Sequence, residues 1–224
     1  MRVIWGLGVW LVPSLSMAAC PMIGDLDMGI EIAFKDGHRS IYSRDAAGVL
    51  REQELQDDGS SFNYLTANGV LETGYFEMAE ADGDPQGWET YSYTFEQADN
   101  LPLKPWSGQS GYQIAYAPDG TETNRTLFGY RTRDATDVQI GDCRYDALPL
   151  ETFYGAGGDG FRSINFLFLP ELGIPVTISF ADSGGSETWE PVAIGVVDAK
   201  TVAFTAATAI QPEPTSEPIK NKWE

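Results

Sequence analysis

Only a few residues in this 224-residue chain have the type and spacing for chemistry. Two cysteines, Cys20 and Cys143, can form one disulfide, but they cannot build a four-cysteine zinc site, and the single His38 cannot complete a finger. Gly155-Ala156-Gly157-Gly158-Asp159-Gly160 satisfies G-x-G-x-x-G, a pattern that holds pyrophosphate only where a helix starts at the loop. Here FRSINFLFLP follows, which reads as a strand, so the segment is a glycine-rich hairpin and no nucleotide cofactor is expected. Gly108-Gln109-Ser110-Gly111 falls one residue short of the nucleophile elbow, and a serine triad would have to recruit His38 from beside the Asp36-Gly37 turn. Asp25 and Asp27 form D-x-D, and Asp82 and Asp84 sit in ADGDPQGW. These four are the calcium candidates, since hard cations take carboxylate oxygens, although aspartates of this kind also simply build turns. Paired carboxylates for glycoside hydrolysis are allowed by a chain this rich in acids but are not singled out by spacing, because the spacing that counts is spatial. No catalytic residue is assigned and no cofactor is expected.

The elements that must position these residues begin with a leader. Arg2 precedes an apolar run from Val3 to Val12, and Ser16-Met17-Ala18-Ala19 ends it in small residues. That order of charge, apolar run and small residues is that of an export signal, here 1–19, too short to span a bilayer. No later run is long enough to be a transmembrane helix. The expected location is periplasmic or extracellular. Cys20 then has two fates. Cleavage beside Ala18 leaves it to pair with Cys143 in an oxidising compartment, or Met17-Ala18-Ala19-Cys20 acts as a lipoprotein box and Cys20 becomes a lipid anchor on the envelope. Met17 stands where such a box prefers Leu, which favours the disulfide.

Charge limits the partners. The chain carries 33 acids against 14 bases, a net of −19, and loss of the leader removes one base, leaving −20. Nucleic acid is excluded as a partner, because binding phosphate requires basic patches. Anionic lipid surfaces are repelled for the same reason. At 42% hydrophobic and 12% aromatic residues the chain can nonetheless bury a core.

Past the leader the chain reads as strands and turns. Asp36-Gly37, Asp58-Gly59, Asn68-Gly69, Asp82-Gly83, Asp119-Gly120 and Asp159-Gly160 are hairpin dipeptides. Between them Tyr91, Tyr93 and Phe95 alternate with polar residues, as do Ile164, Phe166 and Phe168, and Val176, Ile178 and Phe180. This period of two marks half-buried antiparallel strands, and the rows Tyr91-Tyr93-Phe95 and Ile164-Phe166-Phe168 are expected to enter one interior. Asp45 to Gln56 is read as a strand, on the alternation of Val49, Arg51, Gln53 and Leu55, in preference to a short helix. The fold class is all-β: an antiparallel meander of about ten strands with few or no helices, too large to stay flat and therefore curled into a barrel, half-barrel or sandwich. The expected organisation is a signal at 1–19, one β-rich domain at 20–202, and a Pro/Glu-containing disordered tail at 203–224. A two-fold duplication, about 28–100 and 110–200, is suggested by Ile32-Ala33-Phe34 against Ile114-Ala115-Tyr116 and Asn63-Tyr64-Leu65 against Asn165-Phe166-Leu167.

Two resemblances follow from these residues. Ala46-Ala47-Gly48-Val49-Leu50 recurs as Ala67-Asn68-Gly69-Val70-Leu71, each below an aromatic (Tyr42, Tyr64), and this resembles the tyrosine–aspartate repeats of bacterial shell-forming proteins. Two copies cannot close such a shell, and a meander that reuses its hairpin chemistry accounts for them. The leader, the meander and the hairpin FLFLPELGIPVTISF (Phe166 to Phe180) together resemble exported bacterial half-barrels that carry lipoproteins or other lipids. That resemblance implies a curved sheet over an apolar cavity. The functional expectation is an exported envelope protein, non-enzymatic, binding an apolar ligand or a partner protein. The alternatives are a structural or surface β-protein and a carboxylate-based hydrolase.

Overall fold

The computed structural model describes residues 19–56, 59–67, 69–79, 84–95, 101, 103–156 and 160–197. The expected leader, apart from its last residue, and the expected tail lie outside them, as do Asp58, Asn68, Asp82 and Asp159. After a 3-10 turn at Ile23–Asp27, every regular element among the described residues is a strand. The strands are β1 (Ile30–Phe34), β2 (Arg39–Arg44), β3 (Leu50–Leu55), β4 (Ser61–Ala67), β5 (Leu71–Met78), β6 (Gln86–Tyr93), β7 (Gly108–Tyr116), β8 (Glu122–Thr132), β9 (Thr136–Ile140), β10 (Cys143–Ala156), β11 (Gly160–Leu169), β12 (Ile174–Asp182), β13 (Gly185–Thr188) and β14 (Pro191–Val196). All pairings are antiparallel, in the order β13-β12-β11-β10-β8-β7-β6-β5-β4-β3-β2-β1-β14, with β9 on the first half of β10. The all-β, antiparallel expectation holds. The count of fourteen exceeds the expected ten because short strands such as β13, exposed along its whole length, carry no alternation to read.

The order puts β13 at one edge and β14 at the other, although only Trp189 and Glu190 separate them in sequence. The sheet therefore has to curl until its edges meet. At this switch the chain changes partners: the Trp189 amide still donates to Ile178 O on β12 (2.9 Å), while Glu190 O already accepts from the Lys35 amide beside β1 (3.0 Å). One continuous segment thus reaches from one edge of the sheet to the other.

Two apolar clusters fill part of the interior. The first packs Ile30, Ile32 and Tyr42 against Ile140, Cys143 and Tyr145 of the β9–β10 hairpin, with Leu26 and Leu172 beneath them. The second joins Val70 and Leu71 to Phe128, Tyr130, Leu150 and Phe168, with Tyr93, Phe95 and Phe166 against it. Both expected aromatic rows thus enter one interior. Phe128 lies among three rings, 5.0 Å from Tyr93, 5.1 Å from Tyr154 and 5.9 Å from Phe95.

One end is closed where the β4–β5 and β11–β12 turns meet. Gly69 holds φ +72°, and a Cβ there would sit 2.6 Å from Gly173 O, so only glycine permits this approach. The 21-residue repeat is thereby explained, because Gly48 and Gly69 belong to successive turns at the same end of the sheet.

Cys20 and Cys143 form a disulfide with Cα atoms 5.6 Å apart, tying the start of the described chain to the β9–β10 hairpin. The Tyr145 hydroxyl donates to Pro21 O (3.2 Å) beside it. A thiol bridged in this way is not open to acylation. The bond closes a loop spanning a separation of 123 residues, worth about 5 kcal/mol in the chain-entropy model. Reduction, or Cys143→Ser, is expected to lower stability by about 2–5 kcal/mol, read as a drop in the urea midpoint. An unchanged midpoint would show that the bond constrains nothing.

Candidate functional site

Beyond the two clusters the interior is open: a cavity of about 630 Å³ extends toward the end where the β3–β4, β7–β8, β10–β11 and β12–β13 turns lie. Its wall is built by register. Glu52 on β3 pairs with Tyr64 on β4, which pairs with Tyr75 on β5, which pairs with Glu89 on β6. Opposite residues in adjacent strands point to the same face, so these four form one row across the inner surface. The next row toward the mouth is Glu54, Phe62 and Glu77. Tyr64 and Tyr75 lie with ring centroids 5.4 Å apart, and Phe62 and Tyr75 lie 6.4 Å apart.

Two bulges complete the wall. Glu72 and Tyr75 are three residues apart, a spacing that would send them to opposite faces of a regular strand. The register shift between Leu65 and Thr66 pairs Glu72 with Thr66 and returns it to the inner face. A second shift between Asn165 and Phe166 does the same for Thr177 and Phe180 on β12. Opposite the acidic rows, Tyr154, Arg162, Ile164 and Phe166 line the far wall, with the Arg162 guanidinium 5.7 Å from the Phe180 ring.

The electrostatics are one-sided. Five acids line the cavity (Glu52, Glu54, Glu72, Glu89, Asp182) against one base, Arg162. Among the described residues, Glu52, Glu54, Glu72 and Glu89 have no ion-pair partner. Their contacts are with neutral donors. The Tyr42 hydroxyl donates to Glu52 Oε1 (2.8 Å), Gln56 Nε2 to Glu54 Oε1 (2.9 Å), and the Tyr91 hydroxyl to Glu89 Oε2 (2.9 Å). Glu52 is only 8% exposed, and burial pushes its carboxyl up to about 8, although the Tyr42 hydrogen bond pulls the other way. Burial likewise raises Glu72 to about 7, and the Arg162 charge opposes it. The Tyr64, Tyr91 and Tyr154 hydroxyls are pushed above the usual phenol range, first by burial and then by nearby carboxylates, so they stay protonated as donors.

Comparison with known proteins finds no match. No protein-family model, no curated protein and no solved structure matches the chain.

The structure scatters most of the residues singled out from sequence. Asp25 and Asp27 lie on the 3-10 turn, where an Asp25 oxygen accepts from the Met22 amide (2.7 Å). Asp84 is exposed, and Asp82 lies outside the described residues. Among the described residues, no three His, Cys, Asp or Glu side chains converge on a cation position. His38 stacks on Phe34 (4.0 Å) and meets Asp36 Oδ1 (2.7 Å), while Ser110 sits on β7 opposite Gly129, so no triad forms. The glycine-rich loop joins β10 to β11, as expected of a hairpin. The carboxylates that do converge were not singled out. Their only sequence signal is an acid or aromatic at alternate positions: Glu52 and Glu54, Phe62 and Tyr64, Tyr75 and Glu77, Glu89 and Tyr91.

The buried acids make stability depend on pH. Glu52 titrates near its ordinary value of 4.5 when unfolded but at about 8 when folded. The folded state therefore holds the extra proton between those values, and stability falls as pH rises through that window, by on the order of 1 kcal/mol per pH unit for this group. Glu52→Gln copies the neutral form. It is expected to match wild type near pH 5 and to exceed it near pH 8 in urea midpoint. A variant–wild-type difference equal at both pH values would show that Glu52 is not held neutral.

Proposed function

We propose that this protein is an exported, non-enzymatic binding module that holds a small polar ligand inside its curled sheet. The cavity carries the reading: about 630 Å³ lies within the range of small-molecule sites, roughly 300–1,000 Å³, and its wall is assembled from several strands. A structural or surface β-protein would gain stability by filling this space, and burying unpaired carboxylates around a void works against folding. The apolar-ligand form of the expectation finds less support than a polar one. An acyl chain would strip water from five acids without replacing their hydrogen bonds. The resemblance to lipid-carrying half-barrels extends to curvature and not to the lining.

A second reading rests on Glu52. A carboxyl held neutral to about 8, two residues along the same strand face from Glu54, is what a general acid in a hydrolase requires. Turnover separates the two readings, since a binding module saturates and returns its ligand unchanged.

Export is supported by the leader and by a disulfide suited to an oxidising compartment. Protein recovered from its host is expected to begin at residue 19 or 20 by intact mass; a mature pool retaining Met1 would defeat export.

The binding reading is tested through Ala115, buried on the inner face of β7 between Tyr91 and Asn124. Thermal-shift titration of wild type against spermidine, cellobiose and palmitate is expected to raise Tm for at least one. Ala115→Trp, shown by circular dichroism to be folded, is expected to abolish that shift by filling the cavity. A shift that survives the tryptophan would place binding elsewhere.

A further inference from the structure

Building on the binding reading above, we propose that the ligand is a linear aliphatic polyamine, held along the row Glu52-Tyr64-Tyr75-Glu89 with an amine at each carboxylate and its methylene chain over the two phenol rings. The row has a carboxylate at each end and aromatic rings between. Its ends are three strand spacings apart, on the order of 14 Å along the backbone, so a single compact cation cannot engage both. A chain with separated amines can. The second row, Glu54-Phe62-Glu77, repeats acid, ring, acid one step nearer the mouth, so the pattern is a property of the wall and not of one residue pair.

The chemistry of the wall excludes the other small-ligand classes in turn. Anions would meet five acids and a single base. Acyl chains would leave those acids dry and unpaired. A neutral sugar could use the hydrogen-bonding groups and the rings, but it would bring no positive charge to a wall of five acids and one base. An alkyl ammonium supplies what the wall lacks: positive charge for carboxylates that have no ion-pair partner among the described residues, N–H donors for their oxygens, and C–H surface for the tyrosine faces. Glu52 deepens the argument. It is more than nine-tenths buried, lines the cavity, and receives from the protein only neutral hydroxyls, those of Tyr42 at 2.8 Å and Ser40, with no cation paired to it among the described residues. Arg162, the one cation in the lining, is drawn to the opposite wall over Phe180 and does not neutralise the row.

The test uses spermidine, butylamine and cellobiose with the full mature chain, by calorimetric titration at about 0.15 M salt, where the charge of the outer surface is screened over roughly 8 Å. Spermidine is expected to bind with one-to-one stoichiometry, and butylamine at least tenfold more weakly. Glu89→Gln is expected to weaken spermidine about tenfold, the effect of losing one charge-assisted contact, and Glu52→Gln is expected to do the same above pH 8, where the wild-type carboxyl is ionised. Glu171→Gln, an exposed acid on the β11–β12 turn, is expected to leave the affinity unchanged. Because Glu89 is half-buried and Gln preserves its shape, that variant tests the row even if Glu52→Gln folds poorly. Equal loss in Glu171→Gln, or many weak sites, would mean attraction to the acidic surface and would overturn the proposal. Equal affinity for butylamine would overturn the two-ended geometry. Cellobiose binding without spermidine binding would overturn the cation while leaving the cavity reading intact. Binding of no probe, with no Tm shift in wild type, would remove both.

Discussion

The fold depends on how one long sheet disposes of its edges. An unpaired edge strand exposes backbone donors and acceptors that invite pairing with another chain. Here Trp189 and Glu190 carry the chain from β12 to β1 within two residues, with a backbone hydrogen bond on each side of the switch. Everything else follows from that join. The strands between must curl so that the two edges approach, their inner faces must converge, and the ordering of hairpins along the sheet is fixed.

A sheet of this many strands, curled on itself, encloses more volume than its side chains can fill, because the diameter of a curled sheet grows with strand number and side chains fill an interior only up to about eight strands. The protein handles the excess unequally. At one end the β9–β10 hairpin folds against β1 and β14, and the β4–β5 and β11–β12 turns touch through Gly69 and Gly173, so two apolar clusters close that half. The disulfide secures the same end. The other half is left unfilled, which places the cavity between a rigid base and a rim of turns.

What lines the unfilled half is energetically unfavourable in isolation. Carboxylates in a recess whose lining holds Arg162 as its one cation raise the free energy of the empty protein, and the partial neutralisation of Glu52 and Glu72 is the molecule's response. Tolerating that cost is intelligible if the wall meets a ligand that restores the charge balance. The phenols between the acids serve both states: they remain protonated, donate to oxygens such as those of Glu89 and Glu77, and offer a flat apolar face to whatever lies over them.

By itself the sequence determined the fold class, most of the hairpin turns and the pairing partners for a disulfide, because these rest on local chemistry. Gly37, Gly59, Gly69, Gly120 and Gly160 all adopt the positive φ that their turns demand, and the rows Tyr91-Tyr93-Phe95 and Ile164-Phe166-Phe168 announce their inner face by strict alternation. The site was not legible in the same way. In β3, Arg51, Glu52, Gln53 and Glu54 are polar on both faces, and its two apolar residues fall on opposite faces, Leu50 with Glu52 and Leu55 with Gln53, so period two identifies the strand without saying which side is inside. In β5 a bulge reverses parity between Tyr75 and Glu72, and no sequence pattern encodes that slip. The curl of the sheet then decided which polar face became an interior. Burial, and with it the electrostatic character of Glu52, Glu72 and Glu89, is set by strands far apart in the chain, and for that reason only the tertiary structure could assign it.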